Sequence, residues 1–232
     1  MTYSLHYALG ELIDNAIQAY LDEKKIMDKL YKKVGKKLEI HITYDKEQNT
    51  LRITDNSTGI SRKRLSQAFD IGSEIDDRKN SSTSMGQFNI GMKASSIWLA
   101  DEWILRTKRH DEKHELEMII VNEDVFSGKD EIPETEREVG DITRHYTVLE
   151  FSNLRHKFNK THVHKTKRFI SSMYRYQIGK SIKIFWNTEE LFWEDFILRE
   201  HEGKTVRIPF GPAPLNEGVD DRIVQGWIGV LA

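Results

Sequence analysis

The chain contains no cysteine, which excludes a disulfide framework, cysteine-ligated zinc, an iron–sulfur cluster and thiol catalysis. Only 4 of its 232 residues are proline, while 38% are hydrophobic and 10% aromatic, enough for a real core and too much for wholesale disorder. No apolar run approaches the roughly 18 to 20 residues of a membrane span, and no signal peptide opens the chain. The formal net charge is only −2. Any nucleic-acid contact must therefore come from a local patch and not from overall charge. The expectation is a soluble, cytoplasmic protein without membrane contacts, built as one large domain or one domain plus part of another.

Apolar periodicity supplies the elements. Leu5, Leu9, Leu12, Ala16 and Tyr20 recur at helical steps, so the first twenty residues read as an amphipathic helix. A lysine-rich stretch follows between Lys24 and Lys37; interleaved with Asp22, Glu23 and Asp28, it reads as a solvated face before it reads as a nucleic-acid patch. Leu38 to Tyr44 and Leu51 to Thr54 alternate around an Asp-Lys-Glu-Gln-Asn turn, the pattern of a hairpin. Ser61 can cap a short helix bearing Leu65, Ala68 and Phe69. Residues 72 to 87 have little periodicity and read as a long mobile loop, a length that usually serves function. A helix from about Gly91 to Leu99 is expected next, with strands near 102–108, 115–121, 145–151 and 181–186 and a helix near 162–178. The apolar ending Trp227 to Ala232 would be hazardous as an exposed strand, so a fragment of a longer protein is expected.

Four segments could carry chemistry. Glu11 and Asn15 stand four apart, on one face of the first helix with Gln18, and pair a carboxylate with an amide. Such a pair can polarise water and complete a magnesium shell, although alone it is more simply a solvent-facing stripe. In Ile53 to Ile60 a strand ends in Asp55, turns through small polar residues and Gly59, and enters a helix; the acid can accept from an exocyclic amine, and the glycine admits close approach. Alone this is an ordinary Asp/Asn/Gly turn. In Met85 to Ala94, Gly86 and Gly91 bracket a turn that opens a helix beside Lys93, which could offer backbone N–H groups to phosphate. Thr147 begins a strand with a hydroxyl. Gly179-Lys180-Ser181 is not a Walker sequence, because Tyr174 stands where the first glycine should be. His156, His162 and His164 lack acidic or cysteine partners at metal spacing and read as surface histidines.

The order and spacing of these four segments resemble the GHKL ATPase superfamily, which includes gyrase B subunits, the ninety-kilodalton heat-shock chaperone, MutL, MORC proteins and histidine kinases. Glu11 and Asn15 match its E-x-x-x-N motif, and Asp55 and Gly59 match D-x-G-x-G with Ser57 in place of the first glycine. Gly86 and Gly91 match G-x-x-G-x-G/K, with Asn89 at a glycine position and Lys93 following; Thr147 keeps half of the G-T motif. The resemblance covers roughly residues 3 to 190. It implies an α+β fold, a two-layer sandwich with a mostly antiparallel mixed sheet covered on one face by helices. It also implies ATP and Mg²⁺ as ligands: Glu11 activating water, Asn15 holding the metal, Asp55 with Thr147 reading adenine beside Gly59 and Ile60. Gly86, Gln87, Phe88, Asn89, Ile90, Gly91, Met92 and Lys93 would surround the phosphates.

Glu11 favours hydrolysis over histidine phosphotransfer, and the segments 169–176 and 182–187 look most like MORC-type members. Residues 1–190 would form the ATP-binding domain and 191–232 the truncated start of a transducer-like domain, which in relatives supplies a basic residue to the γ-phosphate. ATP would close a lid and a homodimer, and DNA could be met through local basic patches. The alternatives are a nucleotide sensor that binds without hydrolysis and a chaperone-type clamp. Ser57 and Asn89 would alter turn geometry or nucleotide affinity.

Overall fold

The computed structural model describes residues 4–69, 85–126, 134–139, 141, 143–194, 199–202, 204–214 and 223–230. The chain divides into two compact units, Met1–Trp193 and Glu194–Ala232. The first contains α1 (Leu5–Asp22), α2 (Lys24–Val34), β1 (Leu38–Asp45), β2 (Thr50–Asp55), α3 (Arg62–Phe69), α4 (Met85–Leu99), β3 (Glu102–Lys108) and β4 (His114–Val121). It continues with α5 (Asn122–Phe126), β5 (Glu134–Glu138), β6 (Tyr146–Phe151), α6 (Lys160–Met173), β7 (Ile182–Trp186) and β8 (Glu189–Glu190). The second holds β9 (Glu200–His201), β10 (Lys204–Thr205), β11 (Arg207–Pro214) and β12 (Ile223–Gly229), paired as β9–β10 and β11–β12.

The eight strands of the first unit run in the order β5-β4-β3-β6-β2-β1-β7-β8, antiparallel except for the parallel pair β1–β7. This is the expected two-layer α+β sandwich. Its inner face follows from period-two alternation: Leu38, Ile40 and Ile42 of β1, Leu51 and Ile53 of β2, Trp103 and Leu105 of β3, and Leu149 and Phe151 of β6 are all buried. α1 lies across this face and packs on α4 and α6, burying Leu9, Leu12, Ile13 and Ala16. Each fully buried Leu or Ile contributes about 1.5 to 3 kcal/mol relative to exposure.

The alternation also explains the site. On β2 the inward positions are Leu51, Ile53 and then Asp55, so the acid sits at the end of a buried row and turns under the helices. Register places Thr147 of β6 opposite Asp55, and Thr107 of β3 opposite Thr147. A polar band of Asp55, Thr147 and Thr107 therefore closes one end of an apolar inner face.

Several elements differ from the sequence expectation. The lysine-rich stretch is a helix, α2, because Met27, Leu30 and Tyr31 form a narrow apolar stripe beneath the charges; it stops at Gly35, whose left-handed φ of 66° ends the helix. α4 begins at Met85, not near Gly91, so the turn expected between Gly86 and Gly91 is helical. The rest of the expected lid, residues 72–84, lies outside the described residues. α6 ends at Met173, short of 178, and α5 and the exposed strand β5 have no counterpart in the sequence reading.

Candidate nucleotide site

α1 carries the first pair. Glu11 is exposed and Asn15 half-buried, and Asn15 Nδ2 is buried without a hydrogen-bond partner among the described residues. A buried donor left alone costs about 1 to 3 kcal/mol, so the amide is poised for a group the chain does not supply. Gly91 of α4 faces Glu11 directly: a Cβ there would fall 3.1 Å from Glu11 Cδ and closer still to its carboxylate oxygen. The space a side chain would fill on α4 is the space the Glu11 carboxylate occupies.

Asp55 is 7% exposed, and burial pushes its carboxyl up to about 6. Ser57 opposes that shift with two bonds to Asp55 Oδ1, its backbone N–H at 2.9 Å and its hydroxyl at 2.5 Å, which leaves Oδ2 for another donor. Ser57 does not adopt a positive φ, so glycine is not demanded at this position; the serine hydroxyl is used instead. His145 Nδ1 donates to the Ser57 carbonyl at 2.6 Å, and burial holds that imidazole below its ordinary proton affinity.

Gly59 is required for another reason. Its φ is 72°, and a Cβ would meet the Lys108 carbonyl carbon at 2.5 Å and Arg109 Cα at 2.8 Å. The close approach is made by the backbone at the end of β3. Next to it, the Ile60 N–H donates to Thr107 Oγ1 at 2.8 Å, Thr107 donates to the Tyr146 carbonyl at 3.0 Å, and its hydroxyl lies 3.3 Å from that of Thr147. Lys108, fully buried, donates to the carbonyls of Glu112 and Arg144 at 3.0 and 2.7 Å and so ties the neighbouring turns to β3. Burial lowers its proton affinity.

Asn15, Asp55, Ser57, Ile60, Met92 and Thr147 line one cavity of about 30 Å³ between α1, α4 and the sheet. Five of these were expected from the sequence; Ser57 as a donor, Thr107 and His145 were not. Thr107 could have been found from the inward alternation of Trp103 and Leu105, whereas His145 carried no sequence signal. Gly86 to Ile90 lie in the first turns of α4, where the N–H groups of Met85, Gly86 and Gln87 have no intrahelical acceptor. Lys93 is half-buried, and burial lowers its proton affinity. A larger concavity of about 630 Å³ lies on the other face of the sheet, around Arg52, Arg106 and Arg137. Those arginines are already paired with Glu150 and Glu115, so they offer little to a ligand.

The profile of the histidine kinase-, DNA gyrase B- and HSP90-like ATPases matches residues 3–147, which contain every residue of this site. The chain belongs to that family. This histidine kinase-, gyrase B- and HSP90-like ATPase domain is 31% identical over 118 residues to an endoplasmin homolog of Dictyostelium discoideum, a match covering 45% of the chain and 15% of that protein. Its fold is similar to the crystal structure of the ATPase and transducer domains of DNA topoisomerase II from Balamuthia mandrillaris, with a TM-score of 0.54 at 12% identity. That likeness covers 81% of this chain and 48% of the other. The ATPase domain thus spans only a part of each of these longer proteins. No helix among its described residues is long and apolar enough to cross a membrane.

Proposed function

We propose that this domain binds ATP with Mg²⁺ and hydrolyses it between α1 and α4. The observation that carries the reading is the seam itself: the Glu11 carboxylate seated in the gap at Gly91, one helical turn from the unpartnered Asn15 N–H, which lines one cavity with Asp55. Donor chemistry fits the ligand. Asp55 Oδ2 would accept from the adenine amine, Thr147 would assist, the unpartnered Asn15 N–H would donate to a phosphate oxygen, and its amide oxygen would join a magnesium shell, which takes oxygen ligands. When bound, the metal would supply charge neutralisation for the phosphate oxygens. Glu11 would accept the proton of the attacking water, placed on the phosphate side of Asn15.

The cavity has room for about one water, so an adenine ring enters only as side chains withdraw. Met92 is the unbranched, adaptable chain in its lining and is the one we expect to move. Closure of the segment before α4 over ATP, homodimerisation, and a MORC-like clamp on DNA, with residues 191–232 opening a transducer-like domain, complete the proposal. Calorimetry with a non-hydrolysable ATP analogue tests it. Binding that strengthens with Mg²⁺, and loses that gain in Asn15→Ala, supports the site; equal binding with and without the metal in both proteins rejects it.

A further inference from the structure

From Ser152 to Thr188 the chain has no aspartate or glutamate but nine lysines and arginines. In a protein of net charge −2 this is a segregation of charge. The segment folds into the loop before α6, α6 itself, and the connection through β7. Arg155 is paired with Asp101 and Lys167 with Glu189, whereas the exposed Lys157, Lys160, Lys165 and Arg168 make no ion pair among the described residues. Two of these cations, Lys157 and Lys160, crowd the N-terminal end of α6, which has no acid in its first turn. Helix N-termini favour anions, so cations gathered there repel both the dipole and one another unless an anion joins them.

Lys157 and Lys165 also line a groove of about 600 Å³, together with Leu5, His6, Trp98 and Phe158. None of its lining residues lines the cavity that holds Asp55. Trp98 lies 4.6 Å from the His156 ring and 6.3 Å from that of Phe158, centroid to centroid.

We infer that this groove and the exposed side of α6 dock the phosphate backbone of duplex DNA. The α6 helix of 14 residues is about 21 Å long. A duplex carries one negative charge per about 1.7 Å of axis with both strands counted, so about a dozen phosphates lie along that length and those on the near side face the helix, a density acidic protein surfaces do not sustain. A single strand is disfavoured because it requires free aromatic faces for its bases, and here the rings pack on one another. The contact would be independent of sequence and dependent on salt. It supplies the patch by which the proposed clamp would hold DNA, yet it needs no nucleotide and stands if the chain proves not to hydrolyse ATP.

The test is fluorescence anisotropy of the full chain with a labelled mixed-sequence duplex, without nucleotide, across a salt series. The double variant K160E/K165E is expected to bind roughly ten-fold more weakly, with a log–log salt slope shallower by about two. The control K29E/K33E, on equally exposed lysines of α2, is expected to change neither affinity nor slope. No binding by the unsubstituted chain, equal losses in the two variants, or equally effective competition by a single strand or by polyglutamate would each overturn the inference.

Discussion

Glu11 of α1 and Gly91 of α4 occupy one volume: the carboxylate fills the place where any side chain at 91 would stand. This explains the glycine by steric room and not by backbone freedom, since Gly91 is helical and its φ is not positive. Gly91→Ala would push the flexible end of Glu11 aside without touching the backbone of either helix. We expect a folded protein whose hydrolysis falls at least ten-fold while analogue affinity stays within about two-fold, because positioned base catalysis is worth about 10² to 10⁴ in rate. Phosphate release against calorimetry separates the two quantities.

Asp55 gives a pH signature. Its carboxyl rises from an ordinary 3.8 to about 6 because burial penalises the charge. The folded chain therefore holds this proton more tightly than the unfolded chain does. The stability it contributes is complete below about 4 and is lost as pH climbs through about 6. Asp55→Asn carries no such loss and should be more stable than the natural protein at pH 7, by up to about 3 kcal/mol. The same change should weaken ATP by about ten- to hundredfold, because the acceptor for the adenine amine is replaced by a group that can also donate. Nucleotide affinity of the natural protein should itself decline below pH 6. Thermal melts and titrations at pH 5, 6 and 7 check all three, and an Asn variant that is destabilised would count against the buried carboxylate.

Ser57 sharpens that test. Its hydroxyl and N–H hold down the proton affinity of Asp55, so Ser57→Gly should move the binding midpoint to higher pH while keeping the turn. If the serine served only as an inferior glycine, the substitution would raise affinity without moving the pH profile.

Gly59→Ala probes the scaffold under the site. The new methyl would enter the backbone at Lys108 and Arg109 from a left-handed residue, and neither neighbour is the end of a flexible side chain. We expect a loss of several degrees in Tm or failure to fold; an unchanged Tm would mean that the β3 end does not seal the turn as described.

What could be read from the sequence was what is local. The inward stripe of α1, the β1–β2 hairpin and the strand ending at Asp55 follow from periodicity within a few residues, and with them came Glu11, Asn15 and Asp55. Contacts between distant segments left no such trace. The bond from His145 to Ser57 spans 88 residues, and the threonine pair 107 and 147 meets only through strand register. α2 is hard to read from the sequence because Met27, Leu30 and Tyr31 form only a thin apolar stripe among lysines. The early start of α4 was concealed by Gly86 and Gly91, which read as turn residues although the second serves Glu11.

The central claim is that Glu11 acts on water while the rest of the site holds the nucleotide. Its most direct measurement is phosphate release from Mg·ATP by the natural chain and by Glu11→Ala, alongside calorimetric affinity for a non-hydrolysable analogue in both. The account predicts similar affinities and a rate at least about a hundred-fold lower in the variant. Equal rates in the two proteins, or binding without any turnover in the natural chain, would contradict it.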